Sequence, residues 1–280
     1  MTPLHFLVPV DPTHPAMSAA QIAVSLATPA TTVELVAVTT AGLPAEVVDT
    51  FLAEEQARFP GASVEVRRLE GPGVVDVLLH DIASTDPDLV VLDSHGRGPL
   101  GELVLGSVSA DLVRSSSAPT LLIGPACEPV GELRRLTVAV DGSSDSLGAL
   151  DVAAALSRRF AVPIELVEVT EEMAYTSDVA ESAELHRLAL RVEPPVRSWD
   201  VLHGHDVPRA LIDHVRFEPG AVLVLGSHGR SAGRPNVLGG TAARTVRHST
   251  VPVLVVSPQA AADVGRRLTE RPRAEGAPAG

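Results

Sequence analysis

Apolar residues in this chain gather into short continuous runs that alternate with longer segments in which they recur at helical spacing. Residues 4–10 form the first run and close on Asp11, and the Ala-rich stretch 16–26, stopped by Pro29, reads as a helix. A second strand is predicted over 33–38, a helix over 44–59 through Val47, Val48, Phe51 and Leu52, and a third strand over 64–69, where apolar and charged residues alternate. Gly71-Pro72-Gly73 then precedes a helix over 74–83, and residues 88–125 supply a strand, a glycine-rich loop, a helix and a fifth strand opened by Pro119.

The second half repeats this plan. Residues 136–140 end in Asp141 as Val10 ends in Asp11, and 164–170 match 33–39 nearly letter for letter. Helices are predicted over 146–160, 177–192 and 207–215, with a strand over 196–202. Residues 221–258 align without a gap on 88–125. Ser94, His95, Gly96 and Arg97 recur as Ser227, His228, Gly229 and Arg230, and Val104, Leu105 and Gly106 as Val237, Leu238 and Gly239. Strands alternating with helices imply right-handed crossovers and a parallel sheet, so the expected class is α/β: two doubly wound, five-stranded parallel sheets in tandem, of Rossmann-like type. The expected units are 1–127 and 134–258 with a short polar junction between them. Residues 259–280, rich in Ala, Arg, Glu, Gly and Pro, are expected to be a disordered tail with one helical turn near Val264.

Composition narrows the partners. The chain is 45% hydrophobic but only 2% aromatic, so its cores must be built from Val, Leu, Ala and Ile, which suits parallel strands covered on both faces. A net charge of −13 repels nucleic acid and acidic membrane surfaces, and neither is expected as a partner. Cys127 stands alone, which rules out a disulfide framework and a thiolate metal site and leaves it as a small apolar filler at the junction. The N-terminus carries no basic stretch ahead of an apolar core and no apolar run reaches membrane-spanning length, so a cytoplasmic chain is expected.

Ligands of doubly wound sheets sit beyond the carboxyl ends of the strands, where strand order reverses. Asp11, Asp141 and both glycine loops lie there. A phosphate chain needs close backbone approach, which glycine permits, and donors, which a helix N-terminus supplies. Gly226 and Gly229 bracket the turn of the second half, Gly239 and Gly240 open its next helix, and Thr241 offers a hydroxyl. Gly96, Gly106 and Ser107 hold those places in the first half, with the same nine-residue gap. Each aspartate is placed to bind a base or ribose, or to cap the helix that follows; both readings stand.

At these residues the chain resembles a tandem universal stress protein, a family of adenine nucleotide alpha hydrolase-like fold whose nucleotide pattern is Gly-x2-Gly-x9-Gly-Ser/Thr after a strand-end aspartate. The resemblance covers both halves and implies ATP, with or without Mg2+, as the ligand. It places Asp11 or Asp141 at the adenine end and Val38 or Val169 beside the base, with the loop and its hydroxyl around ribose and phosphates. Asp93 replaces the first glycine of the first copy, and Gly240 the hydroxyl residue of the second, where Thr241 follows at once. The second copy is therefore expected to be the stronger site. The resemblance also implies that the fifth strands, 119–123 and 252–256, pair across a two-fold axis, within one chain here, with association into a homodimer as a further step.

No residue set meets the requirements of catalysis. There is no Gly-x4-Gly-Lys-Ser/Thr loop, and Leu225 stands where a nucleophile elbow needs its first glycine. His95, His228, Arg97 and Arg230 are open to two readings each, phosphate contact or a structural bond. Asp141-Gly142-Ser143-Ser144-Asp145-Ser146 resembles the Ser-Gly-Gly-x-Asp-Ser loop of ATP pyrophosphatases but begins differently, and helix capping by its serines competes. Three functions remain: a nucleotide-binding stress-response regulator, a slow ATPase or pyrophosphatase-like enzyme, and an interaction module whose nucleotide sites have decayed.

Overall fold

A computed structural model describes residues 3–13, 18–39, 42–94, 106–170, 178–193, 196–229 and 238–270. In chain order the first half runs β1 (Leu4–Pro9), α1 (Ser18–Leu26), β2 (Thr31–Thr39), α2 (Ala45–Ala57), β3 (Val64–Glu70), α3 (Val74–Thr85), β4 (Leu89–Asp93), α4 (Ser107–Ser115) and β5 (Thr120–Ile123). The second runs β6 (Arg135–Ala139), α5 (Ser144–Phe160), β7 (Ile164–Thr170), α6 (Asp178–Ala189), β8 (Ser198–His203), α7 (Val207–Val215), β9 (Ala221–Gly226), α8 (Gly240–His248) and β10 (Val253–Val256), followed by α9 (Pro258–Glu270).

Among the described residues the strands form one ten-stranded sheet of order β3-β2-β1-β4-β5-β10-β9-β6-β7-β8. Each half is parallel throughout, with its first strand near the middle and the chain winding outward first to one side and then to the other. The two five-stranded sheets are thus continuous rather than separate. They merge where β5 and β10 run antiparallel, Leu121 opposite Leu254 and Leu122 opposite Val253. All four of these side chains are buried, and an unpaired edge there would leave backbone donors stranded against an apolar face.

Both sheet faces are covered, which explains why the strands are apolar in continuous runs. Phe6, Leu35, Val138 and Leu166 face the side packed by α1, α2, α5 and α6. Leu7, Val36, Val90 and Leu223 face the side packed by α3, α4, α7 and α8. Each core runs through both halves without interruption.

The tail departs from expectation. Residues 258–270 form α9, which lies along α5, with Ala260 fully buried and Ala261 and Val264 packed on the same core. Average composition hid this, because only one stripe of a surface helix needs to be apolar. The helix starts on Ser257, whose hydroxyl accepts from the Ala260 N–H at 3.0 Å and donates to the Ser116 carbonyl of the first half at 3.1 Å. Residues 271–280 lie outside the described residues.

A partly buried charged cluster ties β1, β2, β3 and α3 of the first half together. The Glu34 carboxylate accepts from Arg67 Nε at 2.6 Å and Nη2 at 3.0 Å, and lies 3.0 Å from His5 Nε2. Arg67 also grips Asp81 on α3 at 2.5 and 2.9 Å. Burial by itself would raise the Glu34 carboxyl, but the hydrogen bonds from His5 and Arg67 outweigh it and pull the group from 4.5 to about 2.

Two outcomes follow from this packing. A Cβ on Gly124, just after β5, would fall 2.0 Å from the Val246 carbonyl oxygen of α8, so Gly124→Val is expected to cost about 1–3 kcal/mol by overpacking; an unchanged thermal midpoint would refute this. Because the folded Glu34 binds its proton less readily than the unfolded chain does, its stabilisation is complete above pH 4.5 and is lost as pH falls toward about 2. Urea midpoints of Glu34→Gln should accordingly start lower than those of the parent chain and fall less over that window.

Candidate functional site

The chain leaves β6 at Asp141 and turns into α5. Asp141 Oδ1 accepts from the Ser143 N–H at 3.0 Å and from the Ser143 hydroxyl at 2.6 Å, and Gly142 supplies the left-handed step at φ 74°. Ser143 in turn caps α5, its Oγ accepting from the Ser146 N–H at 3.2 Å. The remaining carboxylate oxygen, Oδ2, stands 2.7 Å from where a Cβ on Gly229 would lie. β6 and β9 are neighbours in the sheet, and strand order reverses between them, so the aspartate and the second loop glycine face each other at the switch point.

The glycines of this half divide by role. Gly226 backs onto α5: a Cβ there would approach the Asp145 carbonyl carbon to 2.8 Å, so its lack of a side chain lets β9 pack on the helix start. The Gly239 N–H donates to the Ser227 carbonyl at 2.9 Å and closes the loop, of which residues 230–237, Arg230 included, lie outside the described residues. Among the described residues a Cβ on Gly240 would meet nothing within 4 Å, and none of them caps α8 through its side chain. Thr241 is exposed on that first turn. The first turn of α8 therefore presents backbone donors beside an open surface. Val169, at the carboxyl end of β7, packs partly buried against the α7–α8 core.

His228 orients the loop. Its Nδ1 lies 3.0 Å from the Ser227 hydroxyl and 3.4 Å from Asp145 Oδ2 in the first turn of α5. Sequence reasoning missed this link between loop and helix, since Ser-His repeats in both halves but Pro15 stands four residues after Asp11 where Asp145 stands four after Asp141. Arg244 of α8 is bound elsewhere, to Asp206 Oδ2 at 2.7 Å, where Asp206 also caps α7.

The first half closes its counterpart differently. Asp11 Oδ1 accepts from the Thr13 N–H at 2.8 Å and hydroxyl at 2.7 Å, and the Gly106 N–H donates to the Ser94 carbonyl at 3.0 Å, so the turn and the loop closure both repeat. Ser107 is exposed on α4, which likewise has no side-chain cap among the described residues, and Val38 is buried at the end of β2. Gly96, His95 and Arg97 lie outside the described residues. At the place of Gly226, however, the Asp93 carboxylate reaches across to α1 and accepts from the Ala19 N–H at 3.3 Å. The space that one half gives to bare backbone is filled in the other by a carboxylate.

Among the described residues no three His, Cys, Asp or Glu side chains gather into a metal-binding group, and no helix is long and apolar enough to cross a membrane. Burial, with the charges of Asp93 and Glu128, pushes the Cys127 thiol up to about 12, so it is no nucleophile at neutral pH.

Fold and site together define a tandem, doubly wound α/β protein with a glycine loop facing an aspartate in its second half. The profile of the universal stress protein family matches residues 4–124 and 132–257, and the chain belongs to that family. Universal stress protein Rv2005c of Mycobacterium tuberculosis is 33% identical over 187 residues, covering 61% of this chain and 62% of that one, and a universal stress protein of Mycolicibacterium smegmatis is 28% identical over 189, covering 63% and 64%. These matches thus span less than two thirds of either relative. Among solved structures, a universal stress protein from Archaeoglobus fulgidus superposes with a TM-score of 0.61 at 18% identity over 90% of this chain and 98% of its own. A stress-protein chain from Pseudomonas aeruginosa gives 0.63 at 14% over 95% and 98%. At such identities the structures speak for the fold.

Removing the acceptor at the start of α1 should be visible. Asp93→Ala is expected to lower stability by about 1 kcal/mol, the usual cost of losing a helix cap, read as a shift in the urea midpoint; no shift would mean that the Asp93–Ala19 bond contributes nothing.

Proposed function

We propose that this universal stress protein binds an adenine nucleotide, ATP with or without Mg2+, at the switch point of its second half, and acts as a stress-response regulator through nucleotide-dependent states or partners. One observation carries the reading: Asp141 Oδ2 lies 2.7 Å from the Cβ position of Gly229, beside the first turn of α8, which no described side chain caps. That arrangement fits an adenosine group held by the carboxylate and a phosphate chain held by backbone N–H groups. Asp141, Val169, Gly229, Gly239, Gly240 and Thr241 would line the ligand, with Gly226 serving the packing beneath it. In the first half Asp11, Val38, Gly96, Gly106 and Ser107 would form the weaker counterpart, since the Asp93 carboxylate adds negative charge close to where phosphates would lie. The functional units are taken as 1–127 and 134–258. A cytoplasmic location and further pairing of two chains belong to the same reading.

The runner-up, a slow ATPase, draws on the His228–Asp145 pair, 3.4 Å apart beside the loop. A module with decayed sites draws on Asp93 in the first half.

Small molecules released from freshly purified protein, identified by mass spectrometry, should include an adenine nucleotide. In calorimetric titration, Gly229→Val should weaken ATP binding by at least about tenfold, because the new side chain would drive into Asp141 and the phosphate path. Retained affinity in that variant, with loss in Gly106→Val, would move the site to the first half; no ATP binding by the parent chain would leave the interaction module. Phosphate release that disappears in His228→Gln while binding persists would favour the enzyme.

A further inference from the structure

At the amino ends of β6, β7 and β8, away from the glycine loop, a cavity of about 440 Å3 opens between strand ends and the turn before β9. Arg134, Arg135, Arg197, Glu165 and Glu218 line it. The two carboxylates are already engaged. Glu218 Oε2 lies 2.5 Å from Arg135 Nη2. Glu165, buried on β7, accepts from the Thr137 hydroxyl at 2.9 Å and lies 3.3 Å from His214 Nε2 on α7 and 3.8 Å from Arg135 Nε. Arg134 and Arg197 remain, both exposed, and among the described residues neither guanidinium has a carboxylate partner.

The internal repeat shows what the fold itself requires at these positions. Strand registers place Arg134 where the first half has Leu4, and Arg197 where it has Val64. Leu4 and Val64 are buried, 4% and 7% exposed, as ordinary core residues. Arg135 stands at the place of His5, His214 at that of Asp81, and Asp200 at that of Arg67. Both halves thus contain one Glu, one Arg, one His and one Asp around the second strand of the half, with three of the four exchanged in position. In the first half Arg67 locks the set shut against Glu34 and Asp81. In the second half the arginine has moved to β6 and turned to Glu218, and two further arginines replace apolar core. The first half fills both places with apolar residues, and in a chain of net charge −13 a lining of three arginines against two carboxylates is not a sample of the general surface.

Guanidinium groups bind carboxylate and phosphate through paired N–H donors. Pro163 and Pro219 give the same cavity an apolar edge. We propose that this cavity is a second binding site, for a small dianion carried on a short apolar body, either a phosphomonoester or a dicarboxylate. It would be separate from the glycine loop and independent of whether that loop binds ATP.

The test uses the full chain and two probes, phenyl phosphate and phthalate, in calorimetric titrations. At least one is expected to bind saturably at a single site. In the double variant Arg134→Leu with Arg197→Val, which installs the residues that the first half already buries, that affinity should fall by at least about tenfold while ATP titration is unchanged. Glu218→Gln, which releases Arg135 to the ligand, should tighten binding of the same probe. No saturable binding of either probe overturns the proposal. So does equal affinity in the double variant, which would put the anion elsewhere, or weaker binding in Glu218→Gln. Should the double variant fail to fold by near-ultraviolet circular dichroism, Arg134→Leu and Arg197→Val taken singly must each weaken the probe; indifference of either is equally fatal.

Discussion

Two apolar edge strands in one molecule cannot both be left to water, and the antiparallel pairing of β5 with β10 is how this chain resolves that constraint. Backbone donors and acceptors that would be orphaned on each edge satisfy one another, and Leu121, Leu122, Val253 and Leu254 are buried in the process. Much of the remaining architecture depends on that seam. It makes both hydrophobic cores continuous across the halves, it lets Ser257 start α9 while bonding to Ser116, and it brings Arg159 of α5 to Asp88 and to the Pro3 carbonyl of the first half. Gly124 permits the backbone of one half to touch that of the other.

With the halves fixed in one sheet, each becomes a physical control for the other. Shared features, the strand-end aspartate bound to a hydroxyl residue two positions on and the N–H that closes the glycine loop, mark what the doubly wound turn requires. Differences mark where the halves have separated. At the carboxyl ends of the strands the second half keeps bare backbone at Gly226 and the first half places the Asp93 carboxylate against α1. At the amino ends the first half closes a four-residue charge cluster around Glu34, and the second opens its version around Glu165 into a cavity. Burial would raise the Glu165 carboxyl, yet the bonds from His214 and Thr137 and the charge of Arg135 hold it below its ordinary range, while the same contact raises His214. The Glu165 carboxylate at the buried end of that cluster is already engaged by groups of the protein.

Sequence alone determined the class of fold, the winding of each half and the family, because these depend on local regularities: apolar runs of strand length, helical spacing between them, and glycines at fixed intervals, repeated in two registers. It also marked Asp93 as the residue that sets the first half apart. The family resemblance implied that the fifth strands meet within the chain, whereas only the tertiary structure decided that α9 is a helix held by a narrow stripe on α5, that Gly226 serves packing while Gly229 faces Asp141, and that His228 turns its Nδ1 toward Asp145. Each of these joins residues distant in the chain, and Pro15 stands in the first half where Asp145 stands in the second. The reason is physical: burial on one face and hydrogen bonds across a switch point are properties of neighbouring surfaces, which a periodic pattern encodes only through the elements that carry them.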